Sequence, residues 1–300
     1  MSELIATGAR IRPGQQTQTS NGQRQTAVLQ QQIGPMVVDI FPAQTSQPDT
    51  PILLIHGWGG SGSYWRDTAA VLSRQATVYV PDLPGTGRSQ PVSTPQNMFD
   101  QVENLLAMLD HFNLQQVQVV GHSMGAAMGI LLADKEPKRV EKLVVTSMCF
   151  FMNEKEAEIY LSIMKVIRLM MRFRFKEMAN IPGLAYMMAT RYFYRIPKDK
   201  ETLQQGFLDY LTLDFETAFA SAANATSPEI EAAGARLQAP TLLIACRQDQ
   251  VMPIENVNYS VEVIPNCELV WIDQCGHLPM VEKPQTYQAI LNDFLFAAAD

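Results

Sequence analysis

The pattern Gly121-His122-Ser123-Met124-Gly125, set between two different apolar runs, constrains this chain more than any other feature. Val117-Gln118-Val119-Val120 before it is short, apolar and β-branched, as a buried strand is. Residues 126–133 after it read as a helix with a small-residue face. A serine between a strand and a helix lies on a sharp turn that presents its hydroxyl at the strand's carboxyl end. Gly121 and Gly125 let the strand and the helix pack closely around that turn. The letters G-x-S-x-G are common in loops, so the strand–motif–helix context is what gives them weight.

The rest of the chain fits that context. Residues 26–32 and 36–41 read as two strands joined at Ile33-Gly34-Pro35, an antiparallel hairpin. Continuous apolar strands then follow at 52–55, 77–80, 117–120 and 142–145, with helices predicted over 64–74 and 95–111. The alternation resumes with strands at 240–245 and 268–272 and a last helix over 284–299. Such strands imply an α/β fold, a mostly parallel sheet covered by helices on both faces. Between 151 and 230 no strand pattern exists, and the segment reads as helical. A helical block inserted between two strands of one sheet belongs over their carboxyl ends, where open α/β sheets hold ligands. The chain thus divides into an N-terminal arm (1–24), a core (25–150 and 231–300) and a helical cap (151–230). The arm is rich in Gln, Thr and Gly and is expected to be poorly ordered.

A net charge of -7 argues against nucleic acid as a partner. No apolar run reaches the ~18 residues of a spanning helix, and the N-terminus lacks a signal-peptide pattern, so the expected address is cytoplasmic. The four cysteines have no metal-ligand spacing, and neither a metal nor an organic cofactor is implied.

A serine hydroxyl becomes a nucleophile when a base takes its proton. The chain has four histidines. His111 ends an amphipathic helix and reads as a surface residue. His122 adjoins the serine in a tight turn and points away from it. His56 directly follows a strand and reads as a brace for its loop. His277, just past the last strand, is the candidate base. The base needs a carboxylate to fix its tautomer, from between residues 123 and 277 in the order Ser…Asp/Glu…His. Asp249 follows the penultimate strand and is preferred; Asp273, four residues before His277, is the competitor. Two backbone N–H groups must face the carbonyl oxygen as it gains charge. Met124, at the helix start, is one donor, and Trp58 in His56-Gly57-Trp58-Gly59-Gly60 is the other. The glycine-rich loop could instead cradle a phosphate, but it lacks the P-loop pattern and any lysine.

Taken together, these residues resemble the α/β-hydrolase fold family over about residues 25–300. The resemblance rests on His56 to Gly60, Asp82-Leu83-Pro84-Gly85-Thr86-Gly87-Arg88-Ser89, Gly121 to Gly125, Asp249 to Pro253, and Gly276-His277. It implies an eight-stranded sheet, a cap domain after the sixth strand and a triad of Ser123, Asp249 and His277. Where many members have glycine three residues before the acid, this chain has Cys246. Cys275 lies two residues before the base, and oxidative pairing of the two requires a Cα separation under about 7 Å.

The resemblance and the residues together predict a serine hydrolase of a small, mainly apolar carboxylic ester. Methionine and aromatic residues crowd residues 152–200 and favour an apolar acyl or alkyl group. Perhydrolases, thioesterases and carbon–carbon bond hydrolases use the same triad, the last with Arg191 or Arg195 to hold a substrate carboxylate. A non-catalytic ligand receptor or signalling protein is the alternative of another class. Residues 152–200 carry ten Lys and Arg against five Asp and Glu, a local +5 that leaves -12 on the remainder. The basic row Lys165, Arg168, Arg172 and Lys176 reads first as a solvated helix face, with membrane-surface contact as the alternative.

Overall fold

The computed structural model describes residues 28–89 and 93–297. The arm predicted over 1–24 lies outside the described residues, as do the first two residues of the predicted hairpin. Eight strands form one sheet: β1 (Leu29–Ile33), β2 (Met36–Phe41), β3 (Asp49–Ile55), β4 (Ala76–Asp82), β5 (Val117–His122), β6 (Val140–Thr146), β7 (Thr241–Cys246) and β8 (Cys267–Ile272). Their order is β1-β2-β4-β3-β5-β6-β7-β8, antiparallel for β1/β2 and β2/β4 and parallel from there on. The eight-stranded, mostly parallel α/β architecture expected from the sequence is therefore present. Central strands are apolar on both faces because both are covered: Ile52 to Ile55 are fully buried, as are Val117, Val119 and Val120.

One face carries α1 (Arg66–Leu72) and α11 (Pro284–Leu295), which pack Leu72, Tyr287 and Leu291 with Trp65 and β4. The other carries α2 (Met98–His111), α3 (Met124–Lys135), α8 (Pro228–Ala235) and α9 (Ile254–Val263). α2 begins at Met98, later than predicted, because Asn97 and Asp100 form a reciprocal capping box there. The helix predicted from residue 64 opens as a 3-10 turn, Gly62–Trp65, capped by Ser61. α10 (Pro279–Glu282) is a single turn before α11, a break that Pro284 explains.

Between β6 and α8 the chain inserts α4 (Glu154–Met171), α5 (Leu184–Ala189), α6 (Lys200–Thr212) and α7 (Phe215–Ala223). The sequence boundary at 230 falls inside α8. Ile230 and Ala233 of that helix pack into the core cluster, so α8 belongs to the core and the insertion ends before it.

The turn at Ser123 is built by steric exclusion. A Cβ on Gly121 would lie 2.4 Å from the Ala126 Cα, and one on Gly125 2.4 Å from the Ile55 carbonyl oxygen. Neither backbone can retreat, since β5 and β3 are paired in the sheet centre. Gly125→Ala is expected to destabilise the protein by about 3 kcal/mol, the upper range of core overpacking, read as a drop in the urea midpoint. An unchanged midpoint would show that α3 can shift off β3.

Candidate active site

Ser123 directly follows β5 with φ 52° and ψ -119°, a conformation L-residues avoid, and its N–H donates to the Thr146 carbonyl at 2.8 Å. The strain lifts the side chain out of the sheet end, where it is partly exposed. Among the described residues its hydroxyl has no hydrogen-bond partner, so no contact locks its rotamer. Met124 opens α3 immediately after it, and its N–H makes no protein hydrogen bond among the described residues. The Trp58 N–H is likewise unpaired there, while its indole is fixed: Nε1 donates to the Ala218 carbonyl at 2.8 Å, and the ring sits edge-on to Tyr210 and Phe219. Two backbone donors beside the cavity are thus unpaired among the described residues, one of them at the positive end of a helix.

Asp249 and His277 are brought together. Asp249 Oδ2 accepts from His277 Nδ1 at 2.8 Å, and both side chains are almost wholly buried. A carboxylate only accepts, so Nδ1 carries a proton, and the neutral ring has its free lone pair on Nε2. The other carboxylate oxygen accepts from the N–H groups of Val251 and Met252, at 2.7 and 3.2 Å. Past the strand ends the two loops stay zipped: Arg247 N–H donates to Ile272, Gln248 N–H to Cys275, and Cys275 N–H to the Gln248 side chain. Asp273 is exposed and faces Arg247, away from His277. Cys246 and Cys275 are both buried and free. Hydrogen bonding with Cys275, and then burial, raise the Cys246 pKa and keep that thiol protonated.

The other histidines are structural in their contacts. His56 is fully buried; its Nε2 accepts from Leu83 N–H at 3.1 Å and its Nδ1 bonds the Gly57 carbonyl at 2.9 Å. Its loop partner is the turn after β4, where Asp82 binds Arg88 and the Gly62 N–H. His111 is exposed. His122 does point away from the serine, but toward something the sequence did not disclose. Its Nε2 bonds the His277 carbonyl at 2.9 Å and its Nδ1 meets the Tyr64 hydroxyl at 3.0 Å. A carbonyl only accepts, so Nε2 carries the proton and Tyr64 donates to Nδ1; Tyr64 in turn accepts from Gly57 N–H at 2.6 Å. Burial, followed by the neighbouring His277, holds the His122 pKa well below the usual imidazole value.

Residues 192–195 of the insertion form a strap over the His277 loop. His277 N–H donates to the Tyr192 carbonyl at 2.7 Å. The Glu282 carboxylate accepts from Gly276, Tyr194 and Arg195 N–H groups at 2.8, 3.2 and 2.6 Å. Tyr64, Tyr192 and Glu282 lie in no motif, and only the three-dimensional contacts reveal them. A cavity of about 20 Å³ adjoins the serine turn, between Gly57, Trp58, Met124, Leu213, Thr217 and Ser221. Gln101 also lines it, and its buried Oε1 has no hydrogen-bond partner among the described residues. Arg191 and Arg195 are exposed and do not line this cavity. Of the methionines predicted to shape it, Met170 and Met187 face outward, while Met164 and Met171 pack with Trp58 and Phe219.

A model of the alpha/beta hydrolase fold matches residues 50–284. The chain belongs to the alpha/beta hydrolase fold family. Among relatives of this hydrolase, one from Pseudomonas savastanoi pv. phaseolicola, named "Putative carbamate hydrolase RutD", is 30% identical over 83% of this chain and 95% of its own. A 2-hydroxymuconate semialdehyde hydrolase from a Pseudomonas species is 26% identical over 83% and 87%. Among solved structures, a thermophilic esterase from Thermogutta terrifontis matches with a TM-score of 0.70 at 23% identity, over 87% of this chain and 93% of that one. That likeness speaks to the fold alone.

Two outcomes follow from the His122 contacts. Tyr64→Phe leaves Gly57 N–H and His122 Nδ1 unpaired in a buried site and is expected to cost about 2 kcal/mol of stability, measured by chemical denaturation. Unaltered stability would mean that these groups find other partners. His122 stays neutral when folded but takes up a proton in the unfolded chain below about pH 6.5. Its contribution is therefore intact above that pH, and about 1.4 kcal/mol is lost by pH 5.5. His122→Asn should flatten the stability slope between pH 7.5 and 5.5; an unchanged slope would show that another group sets it.

Proposed function

We propose that this alpha/beta hydrolase cleaves small carboxylic esters through an acyl-enzyme, with Ser123 as nucleophile, His277 as base and Asp249 orienting the base. The buried 2.8 Å bond between Asp249 and the His277 Nδ1 supports the reading, because it leaves Nε2 as the ring nitrogen free to accept a proton from the serine. Ser123 loses its proton to Nε2 as it attacks the carbonyl carbon. The oxygen gains negative charge between the Met124 and Trp58 N–H groups, each donor being worth about 3 kcal/mol in systems of this type. Collapse expels the alcohol, which takes the proton from His277. Water then attacks the acyl group by the same steps and frees the serine.

A second reading, carbamate hydrolysis, is favoured by one observation. The Gln101 Oε1 is an unpartnered acceptor in the cavity wall, and a carbamate nitrogen supplies the donor that an ester lacks. The name of the relative from Pseudomonas savastanoi points the same way. Carbon–carbon bond hydrolysis stays a third reading, supported by the name of the Pseudomonas semialdehyde hydrolase, but Arg191 and Arg195 do not line this cavity to hold a substrate carboxylate.

Ser123→Ala is expected to lower ester turnover by about 10⁴-fold or more, and a fluorophosphonate probe should label Ser123 in the native chain. Full activity in the alanine variant would overturn the mechanism, and absence of labelling would favour a ligand receptor. Assaying p-nitrophenyl esters beside an aryl carbamate separates the two substrates. If the carbamate is the better one, Gln101→Leu should reduce its kcat/KM about tenfold and spare the ester.

A further inference from the structure

α4 is apolar on two sides. Its inner side places Tyr160, Met164, Ile167 and Met171 toward α7 and Trp58. A helix so placed on a folded core normally turns polar residues outward. Here Ile159, Ile163, Val166 and Met170 follow at spacings of four, three and four, which is one continuous stripe, and each is more than half exposed. The stripe runs on into Phe173, at 74% the most exposed of the large apolar residues, and Phe175. Tyr186 and Met187 of α5 add further exposed apolar surface in the same insertion. Apolar surface of this extent, gathered in one segment, marks a contact face.

Charge selects the occupant. Lys155, Lys165, Arg172 and Lys176 are exposed on the same segment, beside the exposed Glu154 and Glu158, and form no salt bridge among the described residues. Residues 152–200 carry +5 while the remainder carries -12. A second copy of this chain would set two positive faces together. An anionic bilayer instead accepts apolar side chains at the acyl boundary and draws the cations to its headgroups. The acidic remainder is repelled by the same surface, so only this face can turn toward it.

We propose that the outer face of α4, continued through Phe173 and Phe175, docks the protein on an anionic lipid surface. The contact is peripheral; no helix among the described residues is long and apolar enough to cross a membrane. It does not depend on the triad, since none of these residues adjoins Ser123.

Vesicle co-sedimentation of the full chain tests the proposal, with phosphatidylcholine alone and with about one-third phosphatidylglycerol. Binding is expected to the anionic vesicles, to weaken several-fold between 50 and 300 mM salt, and to fall about tenfold in Val166→Asp/Met170→Asp. The pair faces solvent, so the melting temperature of the variant should match the parent and rule out misfolding. Three results would overturn the proposal. One is no binding to anionic vesicles. Another is binding that the double substitution leaves intact. The third is a concentration-dependent dimer in light scattering that the substitution abolishes, which would assign the face to a second copy.

Discussion

A short run of neutral hydrogen bonds holds the site in register. Gly57 N–H donates to Tyr64, Tyr64 to His122, and His122 to the His277 carbonyl. The run starts in the loop after β3, crosses the residue beside Ser123 and ends on the loop after β8. Three loops from separate strands are thereby fixed against one another at the backbone. Burial keeps both rings in it uncharged: it lowers the His122 pKa and raises that of Tyr64. Each bond keeps one direction, and no proton change within the ordinary pH range reverses it. The Asp249–His277 pair is set upon this frame, because His122 grips the same residue whose ring Asp249 orients.

Much of this was legible in the sequence, for identifiable reasons. Continuous apolar strands, the glycines at 121 and 125, and the position of Asp249 and His277 after adjacent strands are local or topological signals, and the sheet order brings the latter two together. His122 was read only negatively, as pointing away, because its partners lie 58 residues before it and 155 after. Tyr64 and Glu282 had no signal at all: an ordinary residue near a helix start acquires its role from what folds against it. The Met-rich insertion misled in part. Composition said that it was apolar but not which side faced inward, and the exposure of Met170 and Met187 follows from how α4 and α5 are rotated on the core. The boundary at 230 falls inside α8 for a similar reason, since α8 is helical like the insertion but packs its Ile230 and Ala233 into the core cluster.

The insertion holds the core by its second half. Asp209 of α6 accepts from the hydroxyls of Ser61 and Ser63, the Asp214 N–H donates to Gly85, and Ser221 of α7 donates to the Gln96 carbonyl. Its first half, α4 and α5, carries the outward apolar surface and the free cations. One segment thus roofs the cavity with one end and presents a distinct chemical face with the other, a division that accounts for a local charge opposite to that of the whole chain.

The strap at Tyr192 to Arg195 ties the roof to the loop that carries His277. A cavity of about 20 Å³ has room for a single water, so admitting an acyl group means displacing the insertion. The Tyr192 carbonyl is bonded to the His277 N–H, and Glu282 rivets the same strap to Gly276. On the proposed function, substrate entry and the placement of His277 are therefore coupled, and any such coupling is felt equally in both directions. A molecule wedged under the strap would have to break the Glu282 bonds to Tyr194 and Arg195 that tie it to the His277 loop.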